Sequence, residues 1–523
     1  VTPTRKSPGT EKPRATTLDS ASAPTAKGAK RSILTFLPPH LTPRPGQVQA
    51  LLAVEANWDK AEVFVINAPV AAGKSLLATT IAKWATSGTA SATMDKSSKA
   101  LIVPPNNMLL QQYLDSNPRM ATLWAKDHYQ CVSSREGATC KEIGSALGKP
   151  CCRECPYTKA NRLVRAVPWA ACNAYTYLAH GLYADTVLFD EAHGLLGMVR
   201  DLAAKKLWRR VYGYPASLQS YRDLLRWVGE ALEERPGDAK LVTLKADLES
   251  GANRYLVERG EDTYFGKPAE CLKLLPVDTS KQPPFLWPGL GEGGKGKGKV
   301  SRVILLSATI GPKDLEQLGL NRKRVAWIET PSPIDKSRRP CYIESGFDVS
   351  ARASPEDAMA LVTRIAEIAA AHPGQKGVIH ATYQQARTLM GYLPAGVRER
   401  VLSHDNRNKA DIYRQFIESG SESGRILLAS GMYEGLDLVG DLARWQVIAK
   451  VPWPHLGEPA WKWLSESDPE RYGWEALKLV VQAYGRVCRG PTDFGETYIL
   501  DRSFSRLDLG LAPSWFREAC IYV

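Results

Sequence analysis

The chain has 523 residues, 44% of them hydrophobic and 24% charged. That is the composition of a globular protein, and it is too long for one core of roughly 100–200 residues, so two or three domains are expected. Its 68 Lys and Arg against 55 Asp and Glu leave a net charge of +13, which suits a polyanionic partner without requiring one. No apolar run approaches the roughly 20 residues that span a bilayer, and the N-terminus has no apolar core flanked by a cleavage site. A cytoplasmic protein with reduced cysteines and no membrane partner is expected.

Residues 1–32 are rich in Pro, Ser, Thr and Ala and nearly free of large apolar side chains, so a disordered basic arm is expected. Val63 to Ile66 then reads as an apolar strand, and Ser75 to Trp84 as a helix. Between them, Ala68-Pro-Val-Ala-Ala72-Gly73-Lys74-Ser75 is a phosphate-binding loop in which Ala68 replaces the usual first Gly. Such a loop aims backbone N–H groups and a helix N-terminus at phosphate; Lys74 reaches the β/γ-phosphates and Ser75 helps hold Mg²⁺. Ala71 also stands where a glycine is common, which reduces backbone freedom there.

Five of the ten cysteines fall between residues 131 and 155: Cys131, Cys140, Cys151, Cys152 and Cys155. In a reducing compartment such clustering points to metal or cofactor ligation rather than disulfides. Cys152 stands in a Cys-x-x-Cys spacing with Cys155. Zinc and iron–sulfur chemistry both accept four thiolates. Cys172 lies in an apolar stretch and is expected to pack in a core, while Cys271, Cys341, Cys488 and Cys520 are isolated, with core or incidental roles expected.

Val187-Leu-Phe189 reads as a buried strand carrying Asp190 and Glu191 to its C-terminal end, where parallel sheets bind ligands. Asp190 is assigned to Mg²⁺, and Glu191 to the attacking water. Helices are expected in "AKKLWRRVYGY", "LQSYRDLLRWVGEALEERPGD" and "AKLVTLKADLESGANRYLVERG", followed by a basic, Gly-rich linker into "VILLSATI". From Pro333 onward, helix, strand and helix alternate, as in a second parallel-sheet domain. Near the end, Gln482, Arg486 and Arg489 are spaced four and three apart, so on one helix they would share a face. Arg is the residue for pairing with phosphate oxygens there.

In this order the segments resemble superfamily 2 helicases. "RPGQ" (Arg44, Gln47) resembles the adenine-reading motif, and "ALIVPPNNMLLQQYL" stands where the first nucleic-acid motif lies. Ser307-Ala308-Thr309 resembles the coupling motif, "SGMYEGLDLVGDL" (Ser430, Glu434, Gly435, Asp437) motif V, and "QAYGRVCRGPTDFGETYILD" motif VI. Cys155-Pro156-Tyr157, Asn173-Ala-Tyr175-Thr-Tyr177 and the "VPWPHLGEP" stretch narrow the likeness to the XPD/DinG family, on its DinG-like side. The likeness spans about Arg44 to Phe504.

That resemblance implies an α/β fold of two RecA-like motor domains with two insertions. The first motor domain would take 33–124, 171–200 and 298–332, and the second 333–523. Residues 125–170 would hold a 4Fe–4S iron–sulfur cluster on Cys131, Cys140, Cys152 (or Cys151) and Cys155, and 201–297 a helical arch. It further implies a monomeric ATP- and Mg²⁺-dependent helicase moving 5′→3′ on single-stranded DNA and opening forked DNA. Lys74, Asp190, Glu191, Arg486 and Arg489 would be catalytic; Arg44, Gln47, Ala72, Gly73, Ser75, Gln482, Glu434 and Asp437 would bind the nucleotide. Repair or replication proteins, or a type IV CRISPR ribonucleoprotein, are the partners such a chain would have. A zinc-stabilised nucleic-acid-binding protein with a vestigial motor is the alternative of another class.

Overall fold

The computed structural model describes residues 31–88, 98–132, 134, 137–147, 154–218, 220–250, 255–264, 267–280, 286–290, 299–321, 323–350, 352–405, 407–433, 436 and 438–523. Most of the basic arm, Cys151, Cys152, Glu434, Gly435, Asp437 and most of the basic linker lie outside the described residues.

Two seven-stranded parallel sheets organise the chain. The first contains β1 (Val63–Asn67), β2 (Ala100–Val103), β3 (Ala121–Leu123), β4 (Trp169–Cys172), β5 (Thr186–Asp190), and, after an insertion, β9 (Arg302–Ser307) and β10 (Val325–Glu329), in the order β10-β1-β9-β5-β2-β4-β3. Their near-continuous apolar runs, buried on both faces, are what helix-covered parallel strands require. Around them lie α1 (Pro45–Asn57), α2 (Lys74–Ala85), α3 (Asn107–Ser116), α4 (Cys140–Leu147), α5 (Pro156–Ala166) and α6 (Ala174–His180). Register does the functional work: Asn67 pairs with Ser307, and Leu306 lies level with Asp190. The phosphate loop, the Ser-Ala-Thr turn and the Asp-Glu pair therefore leave one sheet edge side by side.

The insertion opens with α7 (Leu195–Leu202) and β6 (Lys205–Trp208), then runs through α8 (Arg209–Tyr212), α9 (Tyr221–Glu234) and α10 (Ala239–Ser250). It closes with a long antiparallel pair, β7 (Tyr255–Tyr264) and β8 (Lys267–Pro276), giving a three-stranded sheet β6-β8-β7. The all-helical expectation for this stretch is corrected: a helix-bearing insertion also carries a sheet. Leu272 and Leu274 on β8 alternate inward to meet Leu224 and Val228 of α9 and Leu244 and Leu248 of α10. Trp227 packs beside Tyr214 in this core, and Arg209 and Arg226 pair with Glu270 and Asp223. Trp227, Arg209 and Arg226 thus hold the insertion together.

The second sheet joins β11 (Cys341–Phe347), β12 (Gly377–Ala381), β13 (Val401–Ser403), β14 (Ile426–Ser430), β15 (Trp445–Ile448), β16 (Glu496–Asp501) and β17 (Cys520–Tyr522), in the order β13-β14-β12-β15-β16-β11-β17. Its long helix Pro469–Tyr484 docks on the first domain beside α11 (Pro312–Gln317). The missing side chain of Gly311 lets Trp474 in; a Cβ there would stand 2.8 Å from the indole. Trp474 Nε1 donates to Asp314 Oδ2 at 2.9 Å and Lys478 Nζ to Asp314 Oδ1 at 2.8 Å. Arg200 of α7 meets Glu475 at 3.1 Å.

Candidate nucleotide site and cysteine cluster

At the end of β1 the chain enters the loop pinned to β9, since Ala68 N–H donates to Ser307 O at 2.9 Å. Gly73 caps α2 with φ +79°, the left-handed region that glycine enters freely. A side chain at Gly73 would also overlap the amide of Gln47. That amide is built into the loop: Gln47 Nε2 donates to Ala72 O at 2.9 Å, and Gln47 Oε1 accepts from Arg44 N–H at 2.9 Å. The Arg44 guanidinium donates to Ala71 O. Ala71 itself sits at φ +63°, a conformation that costs a non-glycine residue about 1–2 kcal/mol. Arg44, Gln47, Ala72 and Leu77 line a cleft of 390 Å³ closed by Pro331 and Pro491.

Lys74 Nζ lies 3.1 Å from Glu191 Oε1, and His193 Nδ1 lies 3.4 Å from Glu191 Oε2. Burial works against the Glu191 charge, but Lys74 and then His193 outweigh it and hold the carboxyl below its ordinary range. Asp190 is pushed the other way, up to about 6, by burial and by the neighbouring Glu191 charge. Its Oδ1 accepts from Glu191 N–H at 2.9 Å, and its Oδ2 accepts from the Tyr113 hydroxyl at 2.8 Å. Ser75 reaches the same phenol oxygen.

From this pair a polar chain crosses to the second domain. His193 Nδ1 is 3.1 Å from Ser307 Oγ, which accepts Thr309 N–H at 3.1 Å. Gln482 Nε2 donates to Thr309 Oγ1 at 3.3 Å. Gly485 abuts the phosphate loop; a Cβ on it would stand 3.2 Å from Val70. The shared helical face expected for Gln482, Arg486 and Arg489 is not formed, because the helix stops at Tyr484 and Gly485 caps it. Both arginines lie in the following turn, where Cys488 takes φ +67°. Arg486 still acts on Glu191 electrostatically and donates to Leu436 O at 3.3 Å, whereas Arg489 Nη1 reaches back to Gly485 O at 3.4 Å.

Behind the relay, a second cleft of 720 Å³ opens between the domains. His193 and Arg200 line one wall, and Tyr433, Lys450, Trp453 and Gln482 the other.

Cys131, Cys140 and Cys155 are buried in one apolar cluster, with Cys140 Sγ 3.6 Å from Cys155 Sγ. Burial and the Cys155 sulfur push the Cys140 thiol up to about 11. Burial also opposes a Cys155 thiolate, but N–H groups at the start of α5 outweigh it and lower its pKa. Among the described residues no group of three or more His, Cys, Asp or Glu is arranged as a metal site, and the fourth candidate, Cys151 or Cys152, falls outside them. Cys172 is fully buried in β4, as its apolar setting implied.

Sequence reasoning missed two residues. His193 was legible in Asp190-Glu-Ala-His, but its bridging position was not. Tyr113 carried no signal, since an aromatic residue at helical spacing reads as core.

A Helicase C-terminal domain model matches residues 365–519. The XPD/RAD3 helicase subunit of the general transcription and DNA repair factor IIH of Saccharomyces cerevisiae is 24% identical over 249 residues, 42% of this chain and 32% of that protein. The regulator of telomere elongation helicase 1 of Mus musculus is 26% identical over 258 residues, 42% of this chain and 21% of that protein. A solved XPD helicase structure superposes with a TM-score of 0.53 at 14% identity, covering 92% of this chain and 100% of that one. Over its C-terminal part the chain is similar in sequence, and over most of its length similar in fold, to helicases of the XPD type. Its matches span a third or less of the length of these two curated relatives. The likeness to the solved XPD helicase structure sets the fold as two RecA-like domains.

Proposed function

We propose that the protein is an ATP-dependent DNA helicase of DinG type, moving on single-stranded DNA and opening forked duplexes. The observation that carries this reading is the unbroken polar chain Lys74–Glu191–His193–Ser307–Thr309–Gln482, which ties the phosphate loop to the second domain. Hydrolysis at one end can then bias the domain interface at the other. Arg44 and Gln47 hold the adenine cleft, and Ala72, Gly73 and Lys74 receive the phosphates. Glu434 and Asp437 of motif V join the nucleotide site by resemblance.

Ser75 and Asp190 are oxygen donors of the kind Mg²⁺ takes; bound there, the cation would neutralise charge on the phosphates. Glu191 orients the attacking water, which requires Lys74 to leave it for the nucleotide. Arg486 and Arg489 stabilise the charge that spreads over the phosphate oxygens in the transition state. The basic, aromatic cleft of Lys450, Trp453 and Tyr433 suits a single strand, whose bases stack and whose phosphates pair with cations.

Lys74→Ala and Glu191→Gln are expected to abolish DNA-stimulated ATP hydrolysis and unwinding of a forked duplex, assayed with overhangs of both polarities. Wild-type turnover in either variant refutes the assignment. A wild-type protein that binds strands in a salt-sensitive way without ATP-dependent separation would instead be a vestigial motor. Genomic neighbours and co-purified complexes separate a repair or replication role from that of a CRISPR-associated accessory helicase.

Cys131, Cys140, Cys155 and one of Cys151 and Cys152 supply four thiolates, a donor set that fits a 4Fe–4S cluster. A second reading, zinc, is favoured by one distance. The 3.6 Å between Cys140 and Cys155 is close to the edge, about 3.8 Å, of a tetrahedron with 2.3 Å zinc–sulfur bonds. Absorbance near ~400 nm and metal analysis after anaerobic purification decide between them.

A further inference from the structure

Tyr113 lies on α3, neither in the phosphate loop nor on the Asp-Glu strand, yet it closes the cation site. Its ring is fully buried in the core that also holds Leu77, Ile81, Ile102 and Leu110. That packing leaves the hydroxyl little freedom to turn elsewhere. The hydroxyl donates to Asp190 Oδ2 at 2.8 Å. With Oδ1 taken by Glu191 N–H at 2.9 Å, the carboxylate is held on both sides. Loss of the phenol would leave a buried carboxylate oxygen short of a partner and free to rotate.

The other end of α3 faces outward. The side chain of Asn106 caps the helix at Leu109 N–H, 2.9 Å away. Asn107 accepts from Asn173 at 2.6 Å and lies 2.9 Å from His128 Nε2. Beside them Met108 and Tyr175 are 75% and 61% exposed. These groups sit at the C-terminal ends of β2, β3 and β4, on the edge that carries the nucleotide site. Six residues of helix, about 9 Å, separate Asn107 from Tyr113. A rigid helix of that length moves as a unit, so displacement of its outer end reaches the phenol.

We propose that Tyr113 is a positioning residue that holds Asp190 for Mg²⁺ and transmits engagement of single-stranded nucleic acid at the exposed end of α3 to the cation site. The inference rests on the ATP-dependent reading above and deepens it.

Tyr113→Phe tests it, since the ring is kept and only the hydroxyl is lost. The first readout is equilibrium binding of a fluorescent, non-hydrolysable ATP analogue across a Mg²⁺ titration, with and without an unlabelled oligothymidylate. In the wild type, Mg²⁺ tightens analogue binding and the oligonucleotide lowers the Mg²⁺ midpoint. In Tyr113→Phe the midpoint rises roughly tenfold, the oligonucleotide no longer shifts it, and binding in EDTA is unchanged. Steady-state kinetics then show a raised Mg²⁺ requirement, with kcat at saturating Mg²⁺ less affected.

Identical midpoints and identical oligonucleotide shifts in the two proteins, with an active wild type, overturn the role of Tyr113 alone. A wild type whose analogue binding ignores Mg²⁺ overturns the ATPase reading as well. A loss confined to thermal stability, with the midpoint unmoved, marks Tyr113 as packing and also overturns the proposal. Should the Phe variant not fold, Tyr113→Met carries the same comparison.

Discussion

Glu475 offers a measurable test of how the two motor domains are held. It sits on the docked helix Pro469–Tyr484, 3.1 Å from Arg200 of α7 and 3.0 Å from Lys478. Burial alone would raise its pKa, but Lys478 and Arg200 outweigh burial and bring it from 4.5 down to about 2. At roughly 1.4 kcal/mol per pH unit, the charged form contributes about 3 kcal/mol at neutral pH. Because the folded pKa lies below the unfolded one, this stabilisation is complete above the ordinary value of 4.5 and is lost as pH falls toward 2. About 2 kcal/mol of it is gone by pH ~3. Glu475→Gln keeps the shape and removes the charge, leaving Arg200 underpaired and Lys478 with Asp314. Urea unfolding followed by tryptophan fluorescence, at matched pH values, should place the variant about 3 kcal/mol below wild type at pH ~7. The gap should close by about 2 kcal/mol at pH ~3. A gap under about 0.5 kcal/mol at neutral pH, or one that does not narrow with acid, refutes the claim that this ion pair fastens the domains.

Three further outcomes are expected. Gly73→Ala should weaken ATP-analogue binding at least about tenfold, because the new Cβ overlaps Gln47 and the φ of +79° costs about 1–2 kcal/mol; fluorescence titration checks it. Gly377→Ala should destabilise the second domain by about 3 kcal/mol or more, since its Cβ would overlap the buried Trp445 ring; thermal unfolding or soluble yield reads this. His380 is fully buried on β12, and burial lowers its pKa from 6.5 to about 4. The unfolded chain then takes up the proton first, so the second domain should lose about 3 kcal/mol between pH ~6.5 and pH ~4. His380→Gln should flatten that slope in pH-dependent urea melts.

What could be read from the residues followed from local chemistry with a fixed spacing. The run Val63–Ile66, the loop ending in Gly73-Lys74-Ser75 and the strand before Asp190 each state their structure within a few residues. Parallel-sheet register then brings them together without further information. The misreadings share a different cause. Gln482, Arg486 and Arg489 have perfect helical spacing, but spacing assumes that the helix continues, and Gly485 caps it first. The start of the hairpin Tyr255–Pro276 reads as the end of a helix because its strands are long, charged and only half-buried. Its inward face has meaning only against α9 and α10, whose packing on it no local spacing announces.

Tyr113 is the limiting case. Its hydroxyl gains a role only because β5 delivers Asp190 to it from 77 residues away. A phosphate loop advertises itself because backbone and side chains from one short segment do the binding. A positioning residue acts through a partner that another strand supplies, and so it becomes visible only once that strand is in place. The same holds for the cysteines, whose clustering is plain in the sequence. Their spacing in space, such as the 3.6 Å between Cys140 and Cys155, is set only by the fold.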